Sequence, residues 1–342
     1  MIAAVWFQPR VQSQACGKPS KVIRMSAGKK LPATPEPSHF LPGAGGIRLA
    51  SDSWGDPRGP LVVLQHGGGQ TRHAWKGAGE LLAKAGYWSV AFDARGHGDS
   101  DWDPDGRYAQ DIMVEDLKSL LVSLGNRRPA LVGASMGGGT SLVAVGEDHV
   151  DATALVMVDV APRIEPEGVA KIHAFMSQYP DGFDSLHAVA QAIASYQPQR
   201  TRPRNLEGIG KNVRLAADGK YRWHWDPRFR RSSGQFDLAR RQLRLESCAR
   251  NLKLPTLLVR GGLSDVLTEE GAREFQKLCP QCEYVSVADA AHMVAGDRND
   301  TFANAVIEFL SRAAPVGREP VLPPRQLHPH HEGPAGEVQD IP

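Results

Sequence analysis

Short apolar runs that alternate with longer helix-like stretches constrain the fold of this chain more than any other feature. The runs are residues 61–65, 88–92, 130–133, 155–159, 256–260 and 284–287. Apolar strands without polar alternation are buried on both faces, which is typical of a parallel sheet. The helix-like stretches are residues 74–85, 110–124, 136–146, 268–278 and 299–311. With an antiparallel edge hairpin near residues 39–54, the pattern predicts an α/β fold: a mostly parallel, eight-stranded sheet with helices on both faces.

The alternation is interrupted once, between Pro162 and about Asn251. This segment lacks comparable strand runs and is rich in arginine, so we interpret residues 162–251 as a mostly helical cap inserted after strand 6. Residues 38–161 and 252–313 then form the α/β core. Open α/β sheets bind ligands at the carboxyl ends of their strands, and we expect the cap to lie there.

The two ends of the chain differ in composition from its body. Residues 1–37 are predicted to be a disordered or mis-assigned N-terminal extension, and the Pro- and His-rich residues 314–342 a disordered tail. The N-terminal apolar stretch precedes the basic residues, the reverse of a secretory signal. Since no apolar run reaches about 18 residues, we expect no stable membrane insertion.

The bulk composition narrows the partners and the compartment. The 342 residues carry a net charge of +2 without a long basic block, so a nucleic-acid partner is not indicated. Four irregularly spaced cysteines favour a reducing, cytoplasmic location. Cys279 and Cys282 form a CxxC motif, but no second pair completes a zinc site, and we expect no metal. The sequence does not indicate an oligomeric state.

A glycine-rich turn around Ser135 is the first candidate for chemistry. Residues 133–137 (GASMG) read G-x-S-x-G between a predicted strand and a predicted helix, the context of a nucleophile elbow. Strand and helix meet so closely in such a turn that side chains at positions 133 and 137 would collide. The serine also lies at a helix N-terminus, where the dipole favours developing negative charge. Ser135 is therefore the predicted nucleophile.

A second glycine cluster, residues 66–70 (HGGGQ), directly follows the 61–65 strand. Acyl transfer requires hydrogen-bond donors directed at the oxyanion. We expect the backbone N–H groups of Met136 and Gly68 to form this oxyanion hole, with Gly67 and Gly69 as less favoured donors that line the substrate pocket. His66 is expected to brace the loop.

Four histidines compete for the role of general base. His292 follows the last predicted strand and is the preferred base. His97 is expected to hold its own turn by hydrogen bonding. His73 and His224 are predicted to line the substrate pocket.

Two aspartates compete for the role of the acid that orients the base. Asp265 follows the 256–260 strand, and Asp159 ends the 155–159 strand. Both satisfy the chain order nucleophile, acid, histidine. We prefer Asp265 and keep Asp159 as the alternative; Asp289 is expected to cap its own turn.

With these residues assembled, the chain resembles the α/β-hydrolase superfamily over about residues 38–312, and within it lid-bearing bacterial esterases and cofactor-free haloperoxidases. Residues 93–100 (DARGHGDS) are similar to the D-x-R-G-x-G-x-S turn after the fourth strand. Residues 257–265 and 292–293 are similar to the segments that carry the acid and the histidine. Residues 68–70 depart from the family, in which a residue and then Pro often follow His-Gly. The resemblance implies Ser–His–Asp ester hydrolysis without a cofactor.

The predicted function is hydrolysis of a carboxylic ester, or a related acyl bond, of a small and largely apolar molecule. Trp223 and Trp225 either line the substrate pocket or form the core of the cap. Two alternatives stay open: hydrolysis of a carbon–carbon bond, as in meta-cleavage hydrolases, and a non-catalytic ligand receptor on the same fold. Ser135 argues against epoxide hydrolase and haloalkane dehalogenase activity, since those enzymes use an aspartate nucleophile.

Overall fold

The computed structural model describes residues 25–196, 207–229, 238–292, 294 and 299–317. Its strands are β1 (His39–Pro42), β2 (Arg48–Trp54), β3 (Leu61–Gln65), β4 (Trp88–Phe92), β5 (Ala130–Ala134), β6 (Ala154–Val158), β7 (Val213–Leu215), β8 (Tyr221–Trp223), β9 (Thr256–Gly261) and β10 (Cys282–Val287). Eight of them form one sheet in the order β1-β2-β4-β3-β5-β6-β9-β10. β1 and β2 pair antiparallel and the other six strands run parallel. The predicted eight-stranded, mostly parallel sheet is confirmed.

Helices cover both faces of this sheet. They are α1 (Lys76–Lys84), α2 (Gln110–Ser123), α3 (Met136–Gly146), α4 (Pro166–Ser177), α5 (Leu186–Tyr196), α6 (Leu238–Asn251), α7 (Glu269–Leu278) and α8 (Asn299–Ala313). α1 and α8 pack together on one face, and α2, α3, α6 and α7 lie on the other. α4 and α5 belong to the segment between β6 and β9.

The alternation of side chains along β3 explains why two cores form. Val62 and Leu64 join the cluster under α1 and α8, whereas Leu61 and Val63 join the cluster on the opposite face. Successive side chains of a strand point to opposite faces. A strand that is apolar at every position therefore needs helices on both sides, which is the pattern that the sequence predicted.

The segment after β6 differs in part from the predicted helical cap. β7 and β8 form a small antiparallel sheet, and Phe183 bridges to Tyr221 beside it. α6 lies at the C-terminal end of the predicted cap, but it belongs to the core. It packs on α3, with Leu245 and Cys248 buried in the core. The three-residue strands are too short to give a periodic signal, so the sequence did not reveal them.

The prediction of disorder is wrong for residues 25–37. Lys29 and Leu215 exchange two backbone hydrogen bonds of 2.8 Å, which adds a bridge to the edge of β7. The Lys30 ammonium lies 2.9 Å from the carboxylate of Asp99. Leu31 packs against the apolar cluster of the cap, whose buried members include Met176, Phe183, Val189 and Trp223. Composition alone gives no sign of these long-range partners.

The remaining parts of the two predicted disordered ends, residues 1–24 and 318–342, lie outside the described chain. The described residue Val316 lies close to Gly86.

Candidate active site

Ser135 lies in a strained turn between β5 and α3. Its φ and ψ angles are 46° and −108°, a region that costs a non-glycine residue about 1–3 kcal/mol. A Cβ atom at Gly133 would lie 2.5 Å from the carbonyl of Gly137, and one at Gly137 would lie 2.5 Å from the Gln65 oxygen. Both contacts are with backbone atoms, which cannot move aside as a flexible side chain would. The two glycines therefore permit the sharp turn that exposes Ser135.

The His292 imidazole is held by Asp159, which directly follows β6. Its Nδ1 lies 2.7 Å from Asp159 Oδ2, with the carboxylate fully buried and the imidazole 12% exposed. Asp159 also accepts hydrogen bonds from the Gly261 N–H at 2.8 Å and the Ser264 hydroxyl at 2.5 Å. A buried carboxylate is tolerated when donors surround it. With Nδ1 engaged, Nε2 is the imidazole nitrogen able to exchange a proton within the cavity that His292 and Ser135 both line.

The preference for Asp265 as the partner of His292 is contradicted by this geometry. The Asp265 side chain is 51% exposed, and its carboxylate pairs with Lys171 of α4 at 2.8 Å. In the turn after β9, the side chain that contacts Asp159 belongs to Ser264, whose hydroxyl donates to the Asp159 carboxylate. The alternative aspartate, Asp159, is the one that contacts His292.

The loop at residues 66–70 approaches Ser135 closely and presents one uncommitted N–H group. A Cβ atom at Gly67 would lie 3.3 Å from the Ser135 Cβ. The N–H groups of Gly67 and Gly69 donate to Gln70 Oε1 and His97 Nε2. Within the described chain, the Gly68 N–H makes no hydrogen bond. The Met136 N–H, in the first turn of α3, has no intrahelical acceptor, so two donors remain near Ser135.

Three buried histidines, His66, His97 and His224, contact the backbone of this loop and fix its position. Adjacent rings along the series have centroids 5.3 Å and 6.0 Å apart. In each ring, one nitrogen accepts a backbone N–H and the other faces a backbone carbonyl oxygen. This pattern requires neutral imidazoles. Burial lowers the pKa of His66 to about 4 and that of His97 to about 3, and it also lowers the pKa of His224.

These pKa shifts predict that the protein is destabilised by mild acid. Because the folded-state pKa values lie below the usual value of about 6.5, the unfolded chain binds more protons between about pH 4 and 6.5. The free energy of unfolding therefore falls as pH decreases through this window, by about 2 kcal/mol each for His66 and His97 between about pH 7 and 5, with a further loss from His224. Urea unfolding at both pH values measures the difference.

Two single variants test the origin of this pH dependence. His224→Gln is expected to reduce the pH-dependent loss of unfolding free energy, because it removes one buried neutral imidazole. His39→Gln makes the same change at an exposed position outside this cluster and serves as the matched control. An unfolding free energy that stays constant between the two pH values would show that the three histidines are not held neutral.

A cavity of about 460 Å³ opens above Ser135 and His292. This volume lies within the range of small-molecule sites. Apolar side chains of the segment after β6 form much of its wall. They include Val169, Ile172, Phe175, Met176, Ile193, Trp223 and Trp225. The cavity can therefore accommodate an apolar ligand directly over the serine.

The predicted pocket residues divide into two groups. Trp223 and Trp225 stack at 4.9 Å and line the cavity while also belonging to the apolar cluster of the cap, so the two interpretations of this pair are compatible. Gly67 and Gly69 also line the cavity. Neither His73 nor His224 is among the described residues that do so. His224 lies behind the loop, where it accepts from the Gly98 N–H at 2.8 Å.

Sequence reasoning missed the contribution of α4 to the cavity wall. Val169, Ile172 and Met176 are spaced three and four residues apart, which places them on one helical face. That spacing could have identified an apolar face for this helix. The cavity-lining role of Arg241 on α6 had no comparable signal, because arginines are frequent throughout this part of the chain.

Neither a membrane-spanning helix nor a metal-binding cluster is found among the described residues. No described helix is both long and apolar enough to cross a membrane. Within the same residues, no group of three or more His, Cys, Asp or Glu side chains is arranged to hold a metal ion.

Comparisons with known proteins agree with the fold. A model of the alpha/beta hydrolase fold family matches residues 60–298. The chain is 30% identical to Esterase Rv0045c of Mycobacterium tuberculosis over 258 residues, covering 72% of this chain and 80% of that protein. It is 28% identical to the 3-hydroxybutyrate-oligomer hydrolase of Cupriavidus necator over 261 residues, covering 73% and 88% of the two chains.

Solved structures give the same result. The structure of E-2-(acetamidomethylene)succinate hydrolase superposes with a TM-score of 0.70 at 24% identity, covering 80% of this chain and all of that one. The crystal structure of the Mycobacterium tuberculosis esterase Rv0045c superposes with a TM-score of 0.61 at 26% identity, covering 82% and 92% of the two chains. The eight-stranded sheet and its flanking helices are thus shared with solved hydrolases.

Proposed function

Because this chain belongs to the α/β-hydrolase family, we propose that it hydrolyses a carboxylic ester of a small, largely apolar molecule. One observation carries the proposal. A strained serine lines the same cavity as a histidine whose Nδ1 is held 2.7 Å from a buried aspartate. Ser135, His292 and Asp159 are the proposed nucleophile, base and acid.

The proposed reaction proceeds through an acyl-enzyme. His292 Nε2 takes the proton of the Ser135 hydroxyl as the oxygen attacks the ester carbonyl. The N–H groups of Met136 and Gly68 stabilise the oxyanion, and the imidazolium returns its proton to the leaving alcohol. Asp159 orients the imidazole and stabilises its positive charge. Water activated by His292 then releases the acid and regenerates Ser135.

The apolar cavity wall and two relatives support an ester as the substrate. The side chains of α4 and α5 that line the cavity include no lysine, arginine, aspartate or glutamate, and Trp223 and Trp225 present flat apolar surfaces. One relative is named an esterase and another a hydrolase of 3-hydroxybutyrate oligomers. Acyl-bond hydrolysis with an apolar acyl chain accounts for both observations.

A series of p-nitrophenyl esters of increasing acyl length tests this proposal. Each buried methylene contributes about 0.8 kcal/mol, so kcat/KM is expected to rise by up to about fourfold per methylene until the cavity is filled. Beyond that length it should fall.

Two outcomes would count against the ester proposal. One is a failure to hydrolyse any ester in the series. The other is preferential cleavage of a dienoic ring-cleavage product, which would favour carbon–carbon bond hydrolysis instead. The Ser135→Ala protein serves as the blank for both measurements.

A further inference from the structure

Arg241 places an unpaired cation in the wall of the cavity. Within the described chain its guanidinium makes no hydrogen bond or ion pair, and no aspartate or glutamate is among the residues that line the cavity. Arg244, one turn further along α6, is instead held by Glu147 at 2.6 Å and Asp111 at 2.5 Å. The fully buried Arg95 likewise pairs with Asp103 and Asp116. Arg241 therefore departs from the pairing seen at these other buried or half-buried arginines.

The Arg241 guanidinium and the Gln110 side-chain amide both lie close to Gly139, near the nucleophile. A Cβ atom at Gly139 would lie 2.8 Å from Gln110 Nε2 and 3.2 Å from Arg241 Nη2. Gly139 is one turn into α3, and its N–H donates to the Ser135 carbonyl oxygen at 2.9 Å. Gln110 and Arg241 both line the cavity, and the absence of a side chain at Gly139 avoids a clash with either donor. The two donors lie beside the positive end of the α3 dipole.

An unpaired charge in a largely apolar wall is costly unless a ligand pairs with it. Burial lowers the pKa of Arg241 to about 10, so the side chain still carries its charge at neutral pH. Arg241 is partly buried, and partial removal of a guanidinium from water without a counter-ion is unfavourable, so a ligand anion would offset that cost. Guanidinium groups bind carboxylates and phosphates through directed N–H donors.

We propose that Arg241 and Gln110 bind an anionic group of the substrate, and that this group is a carboxylate separate from the scissile ester. One guanidinium and one neutral amide match a single negative charge, whereas a dianionic phosphate would require a second cation at this point. The inference rests on the proposed ester hydrolysis. It narrows the substrate class to esters whose apolar chain ends in a carboxylate.

Hemiesters of dicarboxylic acids test the inference directly. We compare mono-p-nitrophenyl esters of succinic, glutaric and adipic acid with the same compounds capped as neutral methyl esters. The wild-type protein is expected to prefer at least one hemiester over its capped form by about tenfold or more in kcat/KM. This preference should weaken as ionic strength rises.

Two variants of α6 separate recognition from structure. Arg241→Gln is expected to lower kcat/KM for the preferred hemiester by about 10- to 100-fold, and to lower kcat/KM for the capped ester by a much smaller factor. Arg240→Gln removes an equal charge from an exposed position on the same helix and should change neither substrate by more than about twofold. Thermal unfolding of both variants checks that they fold.

The outcomes distinguish this inference from the proposed function. Equal rates for hemiesters and capped esters in the wild type, or an equal loss for both in Arg241→Gln, would overturn the carboxylate site while leaving ester hydrolysis intact. Preference for a phosphonate-bearing ester over every hemiester would also overturn it. Failure to hydrolyse any of these compounds would instead refute the proposed esterase function.

Discussion

Replacement of Ser135 by alanine is expected to lower kcat/KM for p-nitrophenyl esters by about 10⁵- to 10⁶-fold, the scale measured for nucleophile removal in a serine protease. The substitution deletes only Oγ, so the turn, the glycine loop and the Asp159–His292 pair are retained. The residual rate reflects the oxyanion donors and substrate binding alone. Initial rates at substrate concentrations well below KM measure the effect.

The strain at Ser135 provides a control that separates folding from catalysis. Since φ at this residue is 46°, Ser135→Gly should relieve about 1 kcal/mol of strain and raise the Tm while abolishing activity. Loss of activity with gain of stability is the behaviour of a residue retained for chemistry. A Ser135→Ala protein with undiminished activity would refute the assignment of the nucleophile.

Replacement of Asp159 by asparagine is expected to lower kcat by about 10³- to 10⁴-fold, whereas Asp265→Asn should change it by less than about twofold. An asparagine amide at position 159 can donate to His292 Nδ1, which moves the imidazole proton to Nε2 and prevents this nitrogen from accepting the serine proton. The same aspartate-to-asparagine change in the triad of a serine protease costs about 10⁴-fold in kcat. Steady-state kinetics of the two matched variants measure the difference.

Asp265→Asn is the appropriate control, because it makes the same chemical change in the turn that follows β9. It removes only an exposed ion pair with Lys171, which is worth about 0–1 kcal/mol of stability. A large loss of kcat in Asp265→Asn, with a small loss in Asp159→Asn, would restore the assignment that the sequence favoured.

The sheet was predictable because its strands are apolar at every position. The bounds of β3 and β4 agree with the predicted runs, since burial on both faces requires apolar side chains from end to end. β7 and β8 were not predictable, because three residues are too few for any period. The structure of residues 25–37 was not predictable either, because it depends on the pairing of Lys29 with Leu215, a contact between segments far apart in the chain.

The identity of the acid could not be settled from chain order. β6 and β9 are neighbours in the sheet, so the two aspartates follow adjacent strand ends, and both precede the histidine in the chain. Which aspartate contacts His292 depends on the direction of the two side chains in these turns. The Gly261 N–H and the Ser264 hydroxyl donate to Asp159 and so fix the orientation of its carboxylate. The position of His224 could not be predicted from the sequence either, because its hydrogen-bond partner Gly98 is 126 residues away.

Covalent labelling with a fluorophosphonate, followed by peptide mapping by mass spectrometry, tests the central claim most directly. The reagent mimics the acyl-transfer transition state and reacts with a serine only when a neighbouring base activates it. The assignment of Ser135 as the nucleophile predicts one adduct, on Ser135, formed much more slowly in His292→Ala. An adduct on a different serine, or undiminished ester hydrolysis by a protein that is not labelled at Ser135, would contradict it.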